Sequence, residues 1–301
     1  MDFERFKKEL REGIITVAKE WTGGGFINEG TFQTEEGKDL IFYPEDGLAG
    51  IPVNTMDHYA AFQAGWEMEA VAEAAFTTLK EGHQEQQLLE RMAVPENIVP
   101  VLIPRKGNEE LLEETAHVAF GNMEIIFKFI LPEPVDGMNI SCSVPKSYME
   151  ECGWDETKLL AVAMGNRTFR DAIHVMPFKK MTDALLLGDS GEDLVSDWEG
   201  LKEDPLKIVL ITNAQRLYGA AAILDKDTMR RISNIYGADM YILPASLHEC
   251  LAVPKGKTPL ENLRMITQEI NQNHPAGKEW LSDDVYVYDR ETGEISLADR
   301  E

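Results

Sequence analysis

Apolar side chains at Phe3, Phe6, Leu10, Ile14, Val17 and Trp21 recur every three or four residues, the spacing that gathers one stripe along a helix. Gly23, Gly24 and Gly25 predict its end. No GK[ST] follows that triplet and no strand precedes it, so it reads as a connector, not a phosphate loop. Residues 30–53 carry short β-type runs such as Asp39–Tyr43, separated by Gly and Pro. The stretch from Met56 to Lys80 reads as helical, with Tyr59, Phe62, Trp66 and Val71 as its buried face. Gly65 predicts a division into two helices, because glycine costs a helix interior about 1 kcal/mol relative to alanine. His58 and His83 lie too far apart for a helical metal pair, and each reads as a surface or capping residue. A polar helical stretch from residue 84 to 96 ends at Pro95, ahead of the β-like run Ile98–Ile103, and predicts a domain border.

Beyond it come a short acidic helix at 108–114, a strand at Met123–Ile130, a Pro/Asp/Gly turn and a strand at Met138–Val144, which together predict an antiparallel hairpin. A helix opens after Pro145 and stops at Gly153; a second is capped by Asp155 and stops near Gly165. A similar order follows: strand Leu206–Ile211, turn Asn213–Tyr218, strand Gly219–Leu224, and a helix ending at Gly237. Gly137 thus matches Gly219 and Gly153 matches Gly237, which suggests a repeated β-hairpin-plus-helix unit; ordinary α+β order would give the same pattern without duplication. The carboxyl third predicts a strand at Met240–Leu243, a helix with Leu260, Leu263, Ile266 and Ile270 on one face, and a strand pair at 285–288 and 294–297 reversing at Glu291–Gly293. The fold class expected is α+β, with antiparallel or mixed sheets flanked by helices. The layout expected is an N-terminal domain at 1–94, a middle unit at 95–187, an acidic linker or flap at 188–204 and a C-terminal unit at 205–301.

Composition narrows the function. A chain of 301 residues with 44% apolar and 27% charged residues is ordinary globular material, long enough for two or three compact units. It has no run of 18 apolar residues and a charged start, MDFERFKKELREG. That excludes a spanning helix and an export signal and predicts a cytoplasmic protein without membrane contact. The three cysteines, Cys142, Cys152 and Cys250, show no CxxC spacing and cannot all pair within one chain. A net charge of −24 opposes direct nucleic-acid binding. The same charge serves solubility, or it imitates a phosphate backbone and fills a basic groove on a partner. The densest stretch, 188–204, carries seven acids, one lysine and three glycines. It reads as a solvated loop or as a mobile acidic element with Trp198 as aromatic anchor.

No GxSxG, P-loop, GxGxxG, HExxH or EF-hand signature occurs. The nearest constellation is Ser246-Leu-His248-Glu249-Cys250. On a strand, Ser246, His248 and Cys250 would share one face, making Cys250 an activated thiolate or His248 a general base. The alternative is an imidazole that satisfies a neighbouring polar group. Asp283 and Asp284 would face opposite sides of a strand and read as a cap or turn. His117, His174 and His274 lack a partner at metal spacing, so neither a metal nor a cofactor is expected.

Several segments resemble a known family: Ile211-Thr-Asn213 with Gly219–Ala222, Tyr241–Pro244 with Ser246, His248 and Glu249, and Leu281–Asp283 with Val285, Tyr286 and Tyr288–Arg290. Asn108–Leu112 with His117 and Phe120, and Asp57, Tyr59 and Gly65, extend the likeness upstream. The chain resembles the bacterial proteins grouped as domain of unknown function 5688, nearly end to end. That resemblance implies a layout and candidate positions without a catalytic role. The expectation is a non-catalytic module binding an unknown protein or small ligand, with Asn213, Ser246, His248, Glu249 and Trp198 as candidate binding residues. Two alternatives stand beside it: a hydrolase-like enzyme centred on Ser246, His248 and Glu249, and an acidic nucleic-acid mimic that blocks a basic groove.

Overall fold

A computed structural model describes residues 1–22, 27–28, 40–44, 50–135, 137–187, 195–272 and 279–298. The chain divides into two compact units, Met1–Met92 and Ala93–Glu301.

In the first unit, α1 (Phe3–Thr22), α2 (Thr55–Gln63) and α3 (Met68–Met92) accompany a three-stranded antiparallel sheet of β1 (Ile27–Asn28), β2 (Leu40–Pro44) and β3 (Ile51–Val53). The helical stripe is real: Phe6, Leu10, Ile14 and Ala18 are buried on α1, packed with Val71, Ala75, Phe76 and Leu79 of α3. A side chain at Gly13 would put its Cβ 2.8 Å from the Cβ of Ala72, so glycine allows the two helices to approach this closely. Gly65, at φ +99°, separates α2 from α3 as its position predicts. Two expectations fail here. Trp66 is 54% exposed, because the break at Gly65 takes it off the helical face. His83 is buried, with its Nε2 3.1 Å from Nε2 of Gln87. The Gly23–Gly25 connector and the side chain of Trp21 lie outside the described residues.

The second unit runs β4 (Ile98–Pro104), α4 (Glu109–Glu114), β5 (His117–Phe120), β6 (Met123–Ile130), β7 (Ser141–Ser143), α5 (Lys146–Glu151), α6 (Glu156–Gly165), α7 (Arg167–Arg170), β8 (Ile173–Pro177), α8 (Phe178–Leu186) and α9 (Gly200–Glu203). It continues with β9 (Val209–Asn213), a 3-10 turn (Gly219–Leu224), α10 (Lys226–Tyr236), β10 (Met240–Pro244), β11 (Cys250–Pro254), α11 (Leu260–Gln272), β12 (Tyr286–Tyr288) and β13 (Ile295–Leu297). One sheet has the order β4-β6-β5, with β7 also on β6; the other has the order β13-β12-β10-β11-β9-β8. Every pairing among the described residues is antiparallel, so the protein is α+β. The helix caps fall where the sequence puts them: Asp155 accepts from the N–H of Lys158 at 2.7 Å, Asp225 from that of Thr228 at 2.7 Å, and Gly237 closes α10 at φ +67°.

Four expectations are corrected in this unit. Residues 95–187 and 205–301 are not separate bodies, because β8 pairs with β9 from Ile173↔Asn213 to Pro177↔Val209. Residues Gly219–Leu224 form a buried 3-10 turn instead of a strand. With no second hairpin, the repeated unit does not exist. Small side chains explain the turn: a Cβ at Gly219 would stand 2.4 Å from the carbonyl oxygen of His248, so the segment dives under the sheet instead of joining it. On α11 the buried face is Leu260, Leu263, Thr267 and Asn271, while Ile266 is 42% exposed.

Candidate functional site

Residues 245–249 form the turn that joins β10 to β11, not a strand; the N–H groups of Ala245 and Ser246 both donate to the carbonyl of Glu249, at 3.2 and 3.1 Å. The strand alternation that would have aligned Ser246, His248 and Cys250 therefore does not apply. His248 and Asn213 are brought together by backbone bonding. The N–H of Tyr218 donates to Nδ1 of His248 at 3.1 Å, and Oγ1 of Thr212 donates to the carbonyl of His248 at 2.8 Å. Asn213 clamps the adjoining loop, donating from Nδ2 to the carbonyl of Leu217 at 2.7 Å and accepting from its N–H at 3.1 Å. Tyr218 sits in the left-handed region at φ +58° within that loop.

This wiring has chemical consequences. An Nδ1 that accepts a backbone N–H holds no proton, so the neutral ring carries its proton on Nε2. Nε2 lies 3.8 Å from Oε1 of Glu279. The lone pair a general base would use is committed to the main chain. Ser246 is buried, and its Oγ accepts from the N–H of His248 at 3.0 Å, making a local turn contact. The Cys250 thiol is buried, 3.8 Å from the carbonyl oxygen of Ala220, and burial pushes its pKa up, away from a thiolate. The Ser246 hydroxyl thus meets the His248 main chain, and the Cys250 thiol faces the carbonyl of Ala220.

Trp198 stands apart from that loop. It precedes α9, and the guanidinium carbon of Arg231 on α10 lies 3.8 Å from the centre of its ring. Of the acidic stretch, residues 188–194 are outside the described set. Asp197 is engaged: its carboxylate accepts from the N–H of Gly200 at 2.9 Å, with Lys180 3.3 Å away, and these contacts hold its pKa below the usual value. Asp283 and Asp284 serve a turn, as expected: Asp283 accepts from Asn271 and from the Trp280 indole, each at 2.9 Å, and Asp284 accepts from Asn122 at 2.5 Å.

A site that none of these residues announced lies between the two sheets of the second unit. A cleft of about 530 Å³ is walled by Val118 and Phe120 of β5, Leu160 and Met164 of α6, Ile223 of the 3-10 turn and Ile295 of β13. Both β5 and β13 are sheet-edge strands. The volume falls within the range of about 300–1,000 Å³ typical of small-molecule sites. Among the described residues, the lining includes no histidine, cysteine or serine. Charge is confined to one side, where Lys226 pairs with Glu294 at 3.3 Å and Arg170 pairs with Asp225 at 3.6 Å and Asp227 at 3.0 Å.

The walls are held in place by contacts at the turn between β5 and β6. Phe120 stacks on Tyr286 with centroids 5.7 Å apart and planes 7° from parallel. The Tyr286 hydroxyl donates to Oδ1 of Asn122, which also accepts from Oγ of Ser282 at 3.1 Å. Burial raises the Tyr286 pKa to about 12, so the hydroxyl stays a donor throughout the physiological range. The sequence held one usable signal for the cleft: the run Val118-Ala-Phe120 before Gly121-Asn122 marks a strand and a turn. By contrast, Asn213 lines a cavity of about 30 Å³, large enough for water and far below the range typical of small-molecule sites.

Fold and site together define an α+β protein with antiparallel sheets and an apolar cleft between two sheet edges. The chain belongs to the family of unknown function DUF5688, whose model matches residues 3–290. No curated protein and no solved structure matches it. Among the described residues no helix is long and apolar enough to cross a membrane, and no group of three or more His, Cys, Asp or Glu is placed to hold a metal ion.

Proposed function

We propose that the protein is a non-catalytic binding module that takes the apolar part of a small ligand into the cleft between β5, α6 and β13. The observation that carries this reading is the cleft's composition: about 530 Å³ bounded mainly by carbon, with its ion pairs gathered on one side. Burial of apolar surface supplies the affinity, and groups able to attack or protonate a ligand are not needed for it. The loop of His248, Ser246, Glu249 and Asn213 then has an architectural role, tying β9 and the 3-10 turn to the β10–β11 hairpin.

Straight-chain alcohols from hexanol to decanol, titrated by calorimetry, test the reading. Each buried methylene contributes about 0.8 kcal/mol, so affinity should rise about fourfold per carbon until the cleft is full. Val118 lines the cleft from a half-buried position on the edge strand β5, and Val118→Trp fills it with a strand-compatible ring. The variant should fold and lose decanol binding. Absence of saturable binding to the wild-type protein, or unchanged binding by the variant, would overturn the proposal.

A further inference from the structure

On its charged side the cleft adjoins a second depression of about 450 Å³, with which it shares Arg170, Asp225 and Asp227. Arg167, Arg231 and Trp198 also line that depression. The carboxylates there are engaged: Asp171 with Arg167 at 2.9 Å, Asp225 and Asp227 with Arg170 at 3.6 and 3.0 Å, and Asp227 also with Arg230. Arg231 differs. Among the described residues it has no carboxylate within 4.0 Å, and the contact it makes is with the Trp198 ring, 3.8 Å from its guanidinium carbon.

A guanidinium whose carbon stands 3.8 Å from an indole centre is backed by the ring and offers an N–H fork that matches the two oxygens of a carboxylate or phosphate. On a chain of net charge −24, a cation without a carboxylate beside an apolar cleft is a local exception to the surrounding field. We infer that the ligand is an amphiphile with an oxyanion head group: its apolar part fills the cleft, and its head group lies in the adjoining depression on Arg231, backed by Trp198. This inference rests on the cleft-binding reading. Asp227 is the built-in competitor. It is 60% exposed, bridges Arg170 and Arg230, and borders both depressions, so its negative charge repels an oxyanion arriving at Arg231.

Decanoate and decanol carry equal tails and differ in the head group, and at pH 8 decanoate is ionised. The protein's overall charge disfavours the anion, so any preference for decanoate must come from nearby cations. Titrated below their aggregation limits at low salt, decanoate should bind about tenfold more tightly than decanol, the ratio that one charge-assisted bidentate contact supplies. Arg231→Gln should remove that ratio and leave decanol binding unchanged. Asp227→Asn should tighten decanoate alone. Arg5→Gln, which makes the same change in net charge on α1 of the first unit, should alter neither. Decyl phosphate in the same series separates a phosphate from a carboxylate preference; tighter binding of either than of decanol supports the inference.

If decanol binds and neither anion binds more tightly, or if the advantage survives Arg231→Gln, the head-group inference falls and the cleft stands. Where none of the three compounds binds, both fall.

Discussion

Replacing Gly219 with alanine would place a methyl group 2.4 Å from the carbonyl oxygen of His248, 2.6 Å from Oγ1 of Thr212 and 2.7 Å from the backbone nitrogen of Asn213. Two of those three atoms are main-chain atoms, one in the β10–β11 turn and one at the end of β9, and cannot rotate away. Gly219 does not occupy the left-handed region, so the penalty is steric and lies wholly in the packing. Separation requires the 3-10 turn to move off β9 and the β10–β11 turn, which breaks the 3.3 Å bond from the N–H of Ala220 to the carbonyl of Leu247. A lost hydrogen bond of about 1 kcal/mol and overpacking of about 1–3 kcal/mol give a total destabilisation of about 2–4 kcal/mol. At about 2–4 °C per kcal/mol for a unit of this size, the second unit should melt about 4–16 °C lower. Calorimetric scanning measures the shift, and urea unfolding should show a lower midpoint at unchanged slope. A melting temperature within about 2 °C of the wild type, inside the smallest shift this arithmetic allows, would refute the claim that the loop around His248 is packed as architecture.

Thiol accessibility should follow burial: an uncharged disulfide reagent at pH 8 should modify exposed Cys152 in the native protein, while Cys250 should react only after unfolding. Rapid native modification of Cys250 would contradict its position in β11. Desolvation lowers the His58 pKa below 6.5, so the unfolded chain takes up its proton first as pH falls. The stability that neutral His58 protects is therefore complete above pH 6.5 and is lost as the pH drops through that value toward the folded-state pKa. His58→Gln should flatten this dependence in chemical denaturation of the first unit between pH 7 and 5. Asp225→Ala removes the cap bond to Thr228 and one partner of Arg170, and should cost about 1–2 kcal/mol in urea unfolding. Asp225→Asn keeps the capping oxygen and should recover most of that loss.

The hydrophobic stripe of α1, the division at Gly65, the strands β4, β6, β9 and β10, and the caps at Asp155, Asp225 and Gly237 were all legible in the sequence. Each depends on neighbours a few residues away, where helix and strand periodicity and end chemistry act. Legibility fails where distant segments decide the outcome. Gly219–Leu224 is apolar enough for a strand, and its 3-10 path follows from the strands it passes beneath. Ser246 and His248 would share a face on an extended chain; the β10–β11 register places them in the turn.

The sequence by itself determined the α+β class, the acidic character and the family, because composition, local periodicity and motif order are properties of the linear chain. Tertiary structure alone decided where a ligand could sit. The cleft joins residue 118 to residues 223 and 295, and the depression beside it joins Trp198 to Arg231. Such meetings are set by which strands end each sheet and how those edges face, and no spacing within a short window encodes them.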